Sequence, residues 1–591
     1  MKSKSFIVAL LAISTLGLTT SCEDMFDIES TRVVYDHELN STSDSTYTTL
    51  GVLQCLRKVA DRYVILGEVR GDMIEINEHT KTSLRNLANF NFEEDNEYLN
   101  VRDYYAIINN CNYALANMDD SLAINNQLVM MDEYVAFLGI RAWTYLQLAI
   151  NHGTVPFYTE PITTMGDLDK EQEMLDVKGI AERLIPELLQ YLDVELPTFV
   201  STRNGYPVLR LVVADLYLWS GNYAEAVKYY GDYLTKNKKF ICSPTGVSFN
   251  FPGMLSLGGS YSKWNGEKGK DSEVTPVSSE TYGVTGKSDV GGYENLAYIL
   301  NAGGIGSELP GFFLSGDNTH YLNLSTYWSE LSEQQNVFFL SADGKTFKSS
   351  VKEGAAVGDM RNLRYINNRI DETNDGESYT TFSKFGGGHV NIYRRSITYL
   401  RYAEAMNALA LEMNTRGKEL NDSTVLADSR TLANNAFYLL KDAYQVFFPK
   451  GSKERALVEE DYEKEMQQYF IGVHARGCGD VYNDSVYYVL TPAAISKRLG
   501  VADSLVAFCD TIRYIDELII DELALESTLE GNRFGDLIRF SKRRQAWGDE
   551  NYQDFLAKRV ASRAGAESFD ASDSLYVKLS TSEKYWYLPL K

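Results

Sequence analysis

The sequence predicts a mainly α-helical protein of tetratricopeptide-like helix pairs together with a long loop-rich stretch. Three observations predict it. The segment 208–236, VLRLVVADLYLWSGNYAEAVKYYGDYLTK, places Ala214 and Tyr217 three residues apart and Ala226 and Tyr230 four apart. Each pair therefore shares one helical face. Ser220-Gly221-Asn222 interrupts the two runs where a helix needs a stop and a turn. Two such helices cannot bury their apolar faces alone, so neighbouring pairs are required. Helical periodicity duly recurs on both sides of the hairpin. Between Cys242 and about Val390 it gives way to a stretch rich in Gly, Ser, Asn and aromatic residues.

The composition is that of a folded chain: 591 residues, 44% hydrophobic, with only 12 prolines to interrupt helices. Forty tyrosines supply rigid flat surface with a polar tip. The net charge of −24 argues against nucleic acid and anionic membrane surfaces as partners.

At the N-terminus, Lys2 and Lys4 precede an apolar run from Phe6 to Leu18, too short to span a bilayer and flanked as a signal peptide is. Leu18-Thr19-Thr20-Ser21-Cys22 resembles a bacterial lipoprotein cleavage site, with Cys22 as the lipidated first residue of the mature chain. Loss of Lys2 and Lys4 with that leader makes the mature charge two units more negative, −26. Glu23 and Asp24 resemble a surface-export signal of Bacteroidetes lipoproteins. The remaining cysteines (Cys55, Cys111, Cys242, Cys478, Cys509) are odd in number and form no CxxC, so they read as free thiols.

The expected organisation is a signal peptide (1–21), an acidic and polar tether (22–45), a helical part (46–241), a loop-rich aromatic part (242–390) and a second helical part (391–591). Helices are expected from Tyr47 to Val69, Asn100 to Met118, Met131 to Asn151 and Val177 to Leu192, before the hairpin at 208–236. His152-Gly153 is a stop. The segment after Gly67, GEVRGDMIEINEHTKTSLRNLANFNF, is polar and poorly periodic and reads as an exposed loop. Helical spacing returns at Ile397–Met413, Thr431–Phe448 and Leu505–Phe540, with Val473–Tyr488 as an interruption.

No catalytic constellation emerges. The six histidines are scattered, without HExxH or any helical i, i+4 pair, and no GxSxG occurs. Asp371-x-Thr373-x-Asp375-Gly376 imitates the start of a calcium loop, but Phe382 stands where the bidentate Glu belongs. No metal or cofactor is expected.

Taken together, the segments resemble the SusD/RagB family of Bacteroidetes outer-membrane lipoproteins. Tyr105, Ile108 and Asn112 match one helix motif of that family. Arg141-Ala142-Trp143, Tyr145, Leu148 and Gly153-x-Val155-Pro156 match a second, and Ser272-Glu273-Val274 part of a strand. Leu400-Arg401-Tyr402-Ala403-Glu404-Ala405 and the Glu526, Glu530-Gly531, Arg533, Asp536-Leu537, Arg539 series complete the order. The resemblance implies about four helix pairs in a superhelix packed on a loop-rich ligand-binding half. It also implies a role as the nutrient-binding partner of a TonB-dependent (SusC-like) transporter barrel, lipid-anchored in the outer membrane.

A sugar site needs flat aromatic faces for the apolar ring patches, with amide and charged side chains for the hydroxyls. The early segment offers Arg70, Asp72, Asn77, Arg85 and Asn89; the aromatic stretch offers Tyr261, Trp264, Tyr282, Tyr293, Phe312, Phe313 and Tyr321. These are the expected ligand-binding residues, with an oligosaccharide as the first expectation and a peptide or glycopeptide as the alternative. A tetratricopeptide adaptor binding only proteins is the reading from a different class. Arg141, Arg401, Glu530 and Arg533 are expected to fix helix packing through paired hydrogen bonds, and Tyr145, Tyr217, Tyr223 and Tyr230 to be helix contacts.

Overall fold

The computed structural model describes residues 42–92, 95–194, 206–235, 247–250, 254–257, 296–300, 321–334, 338–340, 347–349, 366–370, 378–382, 390–456, 472–474, 488–565 and 574–590. Helices longer than four residues within them are α1 (Thr42–Glu68), α2 (Thr82–Ala88), α3 (Arg102–Asn117), α4 (Met131–His152) and α5 (Val177–Leu188). The series continues with α6 (Leu209–Trp219), α7 (Tyr223–Thr235), α8 (Thr326–Glu333), α9 (Arg395–Leu420) and α10 (Ser423–Lys441). It ends with α11 (Pro492–Leu499), α12 (Phe508–Ser527), α13 (Arg533–Ala546), α14 (Tyr552–Ala561) and α15 (Ser574–Thr581).

Sequential pairing is the rule. The pairs α3/α4, α6/α7, α9/α10 and α12/α13 pack against one another, and α7 and α12 both pack on α9. The mainly α architecture read from the sequence is therefore present, and α14/α15 add a further pair near the C-terminus. The hairpin α6/α7 turns at Gly221, whose φ of +81° suits glycine. Tyr223 and Tyr230 are buried, and Tyr217 stacks on Tyr229 at 5.5 Å and 6°.

Helix α4 is the centre of the fold. Every residue from Val135 to His152 except Gln147 is buried, as expected of a helix covered on all sides. It stops at Gly153 (φ +79°), whose N–H donates to the Ala149 carbonyl. Side-chain caps start other helices: Asp176 accepts from the Gly179 N–H on α5, and Ser325 accepts from the Trp328 N–H on α8.

Three expectations need correction. The run Leu505–Phe540 is not continuous: α12 ends at Ser527 and α13 begins at Arg533. Leu529 (φ +65°) and Gly531 (φ +80°) make the break. The Gly531 N–H donates to Glu68 Oε1 at 2.7 Å, so the corner is seated on the end of α1. A Cβ added to Gly67 would lie 1.8 Å from the Gly531 carbonyl oxygen, and only two glycines permit that approach. The second correction concerns the exposed loop expected after Gly67: residues 67–74 are buried throughout. Helix α1 also begins at Thr42, inside the segment read as tether.

Within the loop-rich part, the described residues form short antiparallel ladders. Ile74–Ile76 (β1) pairs with Leu322–Leu324 (β2), and Leu296–Leu300 with Val390–Arg394, which runs into α9. Ile366–Ile370 pairs with Ser378–Phe382, so strands flank the calcium-loop look-alike where a helix–loop–helix would have helices. Among the described residues, no helix is long and apolar enough to cross a membrane.

Gly531→Ala combines strain at positive φ with a Cβ placed 2.5 Å from the Tyr63 ring, and should lower stability by roughly 2–4 kcal/mol. Gly221 shares the positive φ but has nothing within 4 Å of an added Cβ, so Gly221→Ala should cost only about 1 kcal/mol. Thermal melts of both variants check the ranking; equal shifts in Tm would refute it.

Candidate functional site

Burial decides the fate of Arg70 and Asp72. Asp72 is 0% exposed, and Arg533, 1% exposed, clamps it with Nε to Oδ1 at 2.6 Å and Nη2 to Oδ2 at 2.7 Å. The third Arg533 nitrogen, Nη1, donates to the Ile520 carbonyl at 2.8 Å. Arg70, 1% exposed, donates to the carbonyls of Leu66 (2.9 Å) and Trp586 (3.2 Å) and to Asn151 Oδ1, and its guanidinium lies 4.3 Å from the Phe534 ring centre. Burial pulls the Arg70 pKa down to about 9, still far enough above neutrality to keep the charge. The sequence points both side chains at ligand; both instead use their hydrogen bonds inside the protein. A polar stretch reads as a loop because most of its partners are distant in sequence, Arg533 by 461 residues and Trp586 by 516.

The buried charges of the helical motifs hold helices together, as their place in those motifs implies. Asp215 on α6 accepts from Arg401 on α9, from Tyr230 on α7 and from Tyr393 (2.8 Å). Glu404 takes a bidentate pair from Arg539, both contacts 2.7 Å, and a further bond from Arg543, which also reaches Asp516 at 2.6 Å. Burial alone would raise the Glu404 pKa, but Arg539 and Arg543 outweigh it and the net shift is downward. Arg141 joins Asn112 and Glu187.

The Arg533–Asp72 pair has a second consequence. Asp72 is followed by Met73 and β1, and its carbonyl accepts from the Ser325 hydroxyl at 2.6 Å, while the Ser325 N–H donates to the Met73 carbonyl at 2.9 Å. Ser325 in turn caps α8. A buried ion pair thus seats the β1/β2 ladder and the start of α8.

At the outer end of that ladder, the two regions nominated from sequence meet. The Thr80 hydroxyl donates to the Tyr321 carbonyl, and the Asn77 side-chain N–H₂ donates to Asn323 Oδ1 at 3.3 Å. Arg85 holds the Asn77 carbonyl at 2.7 Å. Lys81 Nζ stands 5.3 Å from the centre of the half-buried Tyr321 ring. His79, Lys81 and Asn323 are exposed; Asn77 and Arg85 are half-buried. The patch therefore offers one aromatic face beside amides and a cation. Asn89 lies at the far end of α2, where its Oδ1 accepts from Arg563 at 3.3 Å. Sequence reasoning misses Lys81 and Asn323; their signal is adjacency to Thr80 and Tyr321, which becomes meaningful only once β1 and β2 pair.

Trp328, one of the aromatics of the loop-rich part, is core: it is 1% exposed and its Nε1–H donates to Thr528 Oγ1 at 2.9 Å. Tyr261, Trp264, Tyr282, Tyr293, Phe312, Phe313 and Cys22 lie outside the described residues. Among the described residues, no group of three or more His, Cys, Asp or Glu side chains is placed to hold a metal. Cys55, Cys111 and Cys509 are free thiols.

The fold and patch define a class, a helical-pair scaffold that carries short strand ladders on its loop-rich part. Comparison with known proteins narrows this. No family model matches the chain. A SusD-like protein of Formosa agariphila is 25% identical over 185 residues, which make up 30% of this chain and 36% of that protein. The likeness thus spans only about a third of the relative's length. A SusD superfamily structure from Bacteroides thetaiotaomicron shares the fold with a TM-score of 0.52 and 15% identity, covering 93% of this chain and 95% of that one. A second, from Bacteroides vulgatus, gives 0.53 and 12%, covering 94% and 96%. The chain therefore shares the fold of SusD superfamily structures.

Two outcomes follow from the buried groups. Arg533→Met leaves the Asp72 carboxylate buried without its cation and should cost about 3–5 kcal/mol, much of it recovered in the Arg533→Met, Asp72→Leu double variant. Calorimetric melts test this, and a double variant no better than the single one would contradict it. His152 is buried with Nδ1 3.2 Å from the Leu588 carbonyl oxygen. Burial first, then the Arg70 charge, push its pKa from 6.5 down to about 4. The unfolded chain then binds a proton that the fold refuses, so stability is full above pH 6.5 and declines as pH falls towards about 4. His152→Gln should flatten that part of the stability–pH curve; an unchanged slope would exclude His152 as its source.

Proposed function

We propose that the chain is a cell-surface binding lipoprotein that captures an oligosaccharide on its loop-rich part and hands it to a TonB-dependent transporter barrel. The observation that carries this reading is the meeting of the early segment and the aromatic stretch across the β1/β2 ladder. It brings Asn77, Arg85 and Tyr321 together with Lys81 and Asn323, the mixture of flat face and hydroxyl partners that a sugar ring requires. The shared fold with SusD superfamily structures and the motifs that resemble the SusD/RagB family support the transporter role, and the signal at Cys22 supports a lipid anchor in the outer membrane. Trp264 and the other aromatics before Tyr321 are proposed to contact the same ligand. The protein binds and releases its ligand without chemistry on it, and a shallow site of this kind fits affinities in the micromolar range or weaker, about −8 kcal/mol at most. Asn89, bonded to Arg563, belongs to the edge of the surface.

A glycan array, followed by calorimetric titration of the selected oligosaccharide, tests the reading. Tyr321→Ala should weaken binding by roughly 1 kcal/mol, about fivefold, with only a small fall in Tm, because the ring is partly buried against the core while the Thr80 bond goes to the Tyr321 backbone. Trp264→Ala should weaken it at least as much, and Cys22→Ala should move the protein from the membrane to the soluble fraction. Binding of peptides in place of glycans would transfer the site to the other ligand class. Unchanged glycan affinity in both aromatic variants would remove the site.

A further inference from the structure

A small polar chamber of about 20 Å³ lies where α1, α4, α6, α9 and α13 meet, its wall including Tyr63, Trp143, Trp219, Arg401, Gly535 and Asp536. Two buried polar atoms of that wall have no hydrogen-bond partner. Arg401 uses Nη1 on Asp215 and Nη2 on Asn532 Oδ1 (2.9 Å), which leaves its Nε–H unmatched. Asp536 receives Arg539 at Oδ1 (2.8 Å), which leaves Oδ2 unmatched. Buried groups of this kind are rarely left so in native proteins. The four charged side chains on the wall, Asp215, Asp536, Arg401 and Arg539, cancel in sign, so the chamber favours neither an anion nor a cation. Its volume suits one water molecule, which needs about 10–15 Å³ by the same measure.

The glycine at 535 lies on the chamber wall at a point crowded by its neighbours. Alanine is the better helix former, yet the third residue of α13 has no side chain. A Cβ there would meet Ile150 Cγ2 at 3.3 Å and the Trp219 ring at 3.5 Å, and both residues belong to the chamber wall. We propose that the chamber binds a single structural water, which accepts from Arg401 Nε–H and bridges to Asp536 Oδ2. Such a water completes the polar seam between α9 and α13, next to the glycine contact that joins α1 to the Gly531 corner. Burial raises the Asp536 pKa, and a water serves the group in either state, donating to the carboxylate or accepting from the acid.

A high-resolution crystal structure of the unmodified protein is the test. The expected result is one fully occupied peak within hydrogen-bond distance of Arg401 Nε and Asp536 Oδ2. An empty chamber would overturn the proposal, and so would a metal ion coordinated by several oxygens there. Gly535→Ala should displace the peak and lower Tm, although helix propensity alone predicts a rise. A higher Tm with the peak gone would show that the water does not support the fold. If Gly535→Ala does not accumulate, oxygen-17 relaxation dispersion on the unmodified protein replaces it: a long-lived internal water that disappears in Asp536→Leu supports the site, and an unchanged count contradicts it.

Discussion

The bidentate contact between Arg533 and Asp72 is the constraint on which the rest of this structure depends. It ties the first residue of α13 to the segment after α1, 461 positions earlier in the chain, with almost no solvent contact at either end. Burying two charges is costly, and the attraction between them offsets that cost only where geometry is good and the leftover donors are used. Here both carboxylate oxygens are engaged and the remaining guanidinium nitrogen meets a backbone carbonyl. Glu404, Asp215 and Asp516 also accept from guanidinium groups on other helices, so the helix pairs are held in register by directional contacts as well as by apolar packing. A hydrophobic seam tolerates sliding; a forked pair does not.

That rigidity reaches the surface by a short route. The Asp72 carbonyl and the Met73 backbone hold Ser325, and three residues of β1 hold three of β2. At the end of the ladder stand Tyr321, Asn77 and Lys81. A binding surface made of a half-buried ring and a few amides has little depth to orient a ligand, so the backbone beneath it has to be fixed. In the proposed reading, Arg533 on α13 serves the candidate site without touching it. The hairpin α6/α7 is further back, with its tyrosines turned into helix contacts and its Asp215 committed to Arg401 and two phenols.

The fold is legible in sequence wherever the information is local. The α6/α7 hairpin, its turn at Gly221 and the stop at Gly153 follow from spacing and from positive φ. The packing roles of Arg401 and Arg533 follow from their place in helical motifs. Leu505–Phe540 reads as one run because apolar spacing continues across the break, while the corner is set by Leu529, Gly531 and a hydrogen bond to α1. Arg70 and Asp72 mislead for a related reason: a polar, aperiodic stretch looks solvated unless its distant partners are known. For the site, the two regions can be named from sequence but their junction cannot, since no local pattern announces that Ile74–Ile76 will pair with Leu322–Leu324. Asn77, Arg85 and Tyr321 come together through that pairing, and Lys81 and Asn323 come with them.

The central claim is that a buried charged scaffold presents the ligand surface at the β1/β2 ladder, with the helix pairs in support. Hydrogen–deuterium exchange, with and without an oligosaccharide selected on a glycan array, tests it most directly. The account predicts protection across residues 74–86 and 321–324, with no change over α6 and α7. Protection on α6 and α7 with an unaltered ladder would contradict it.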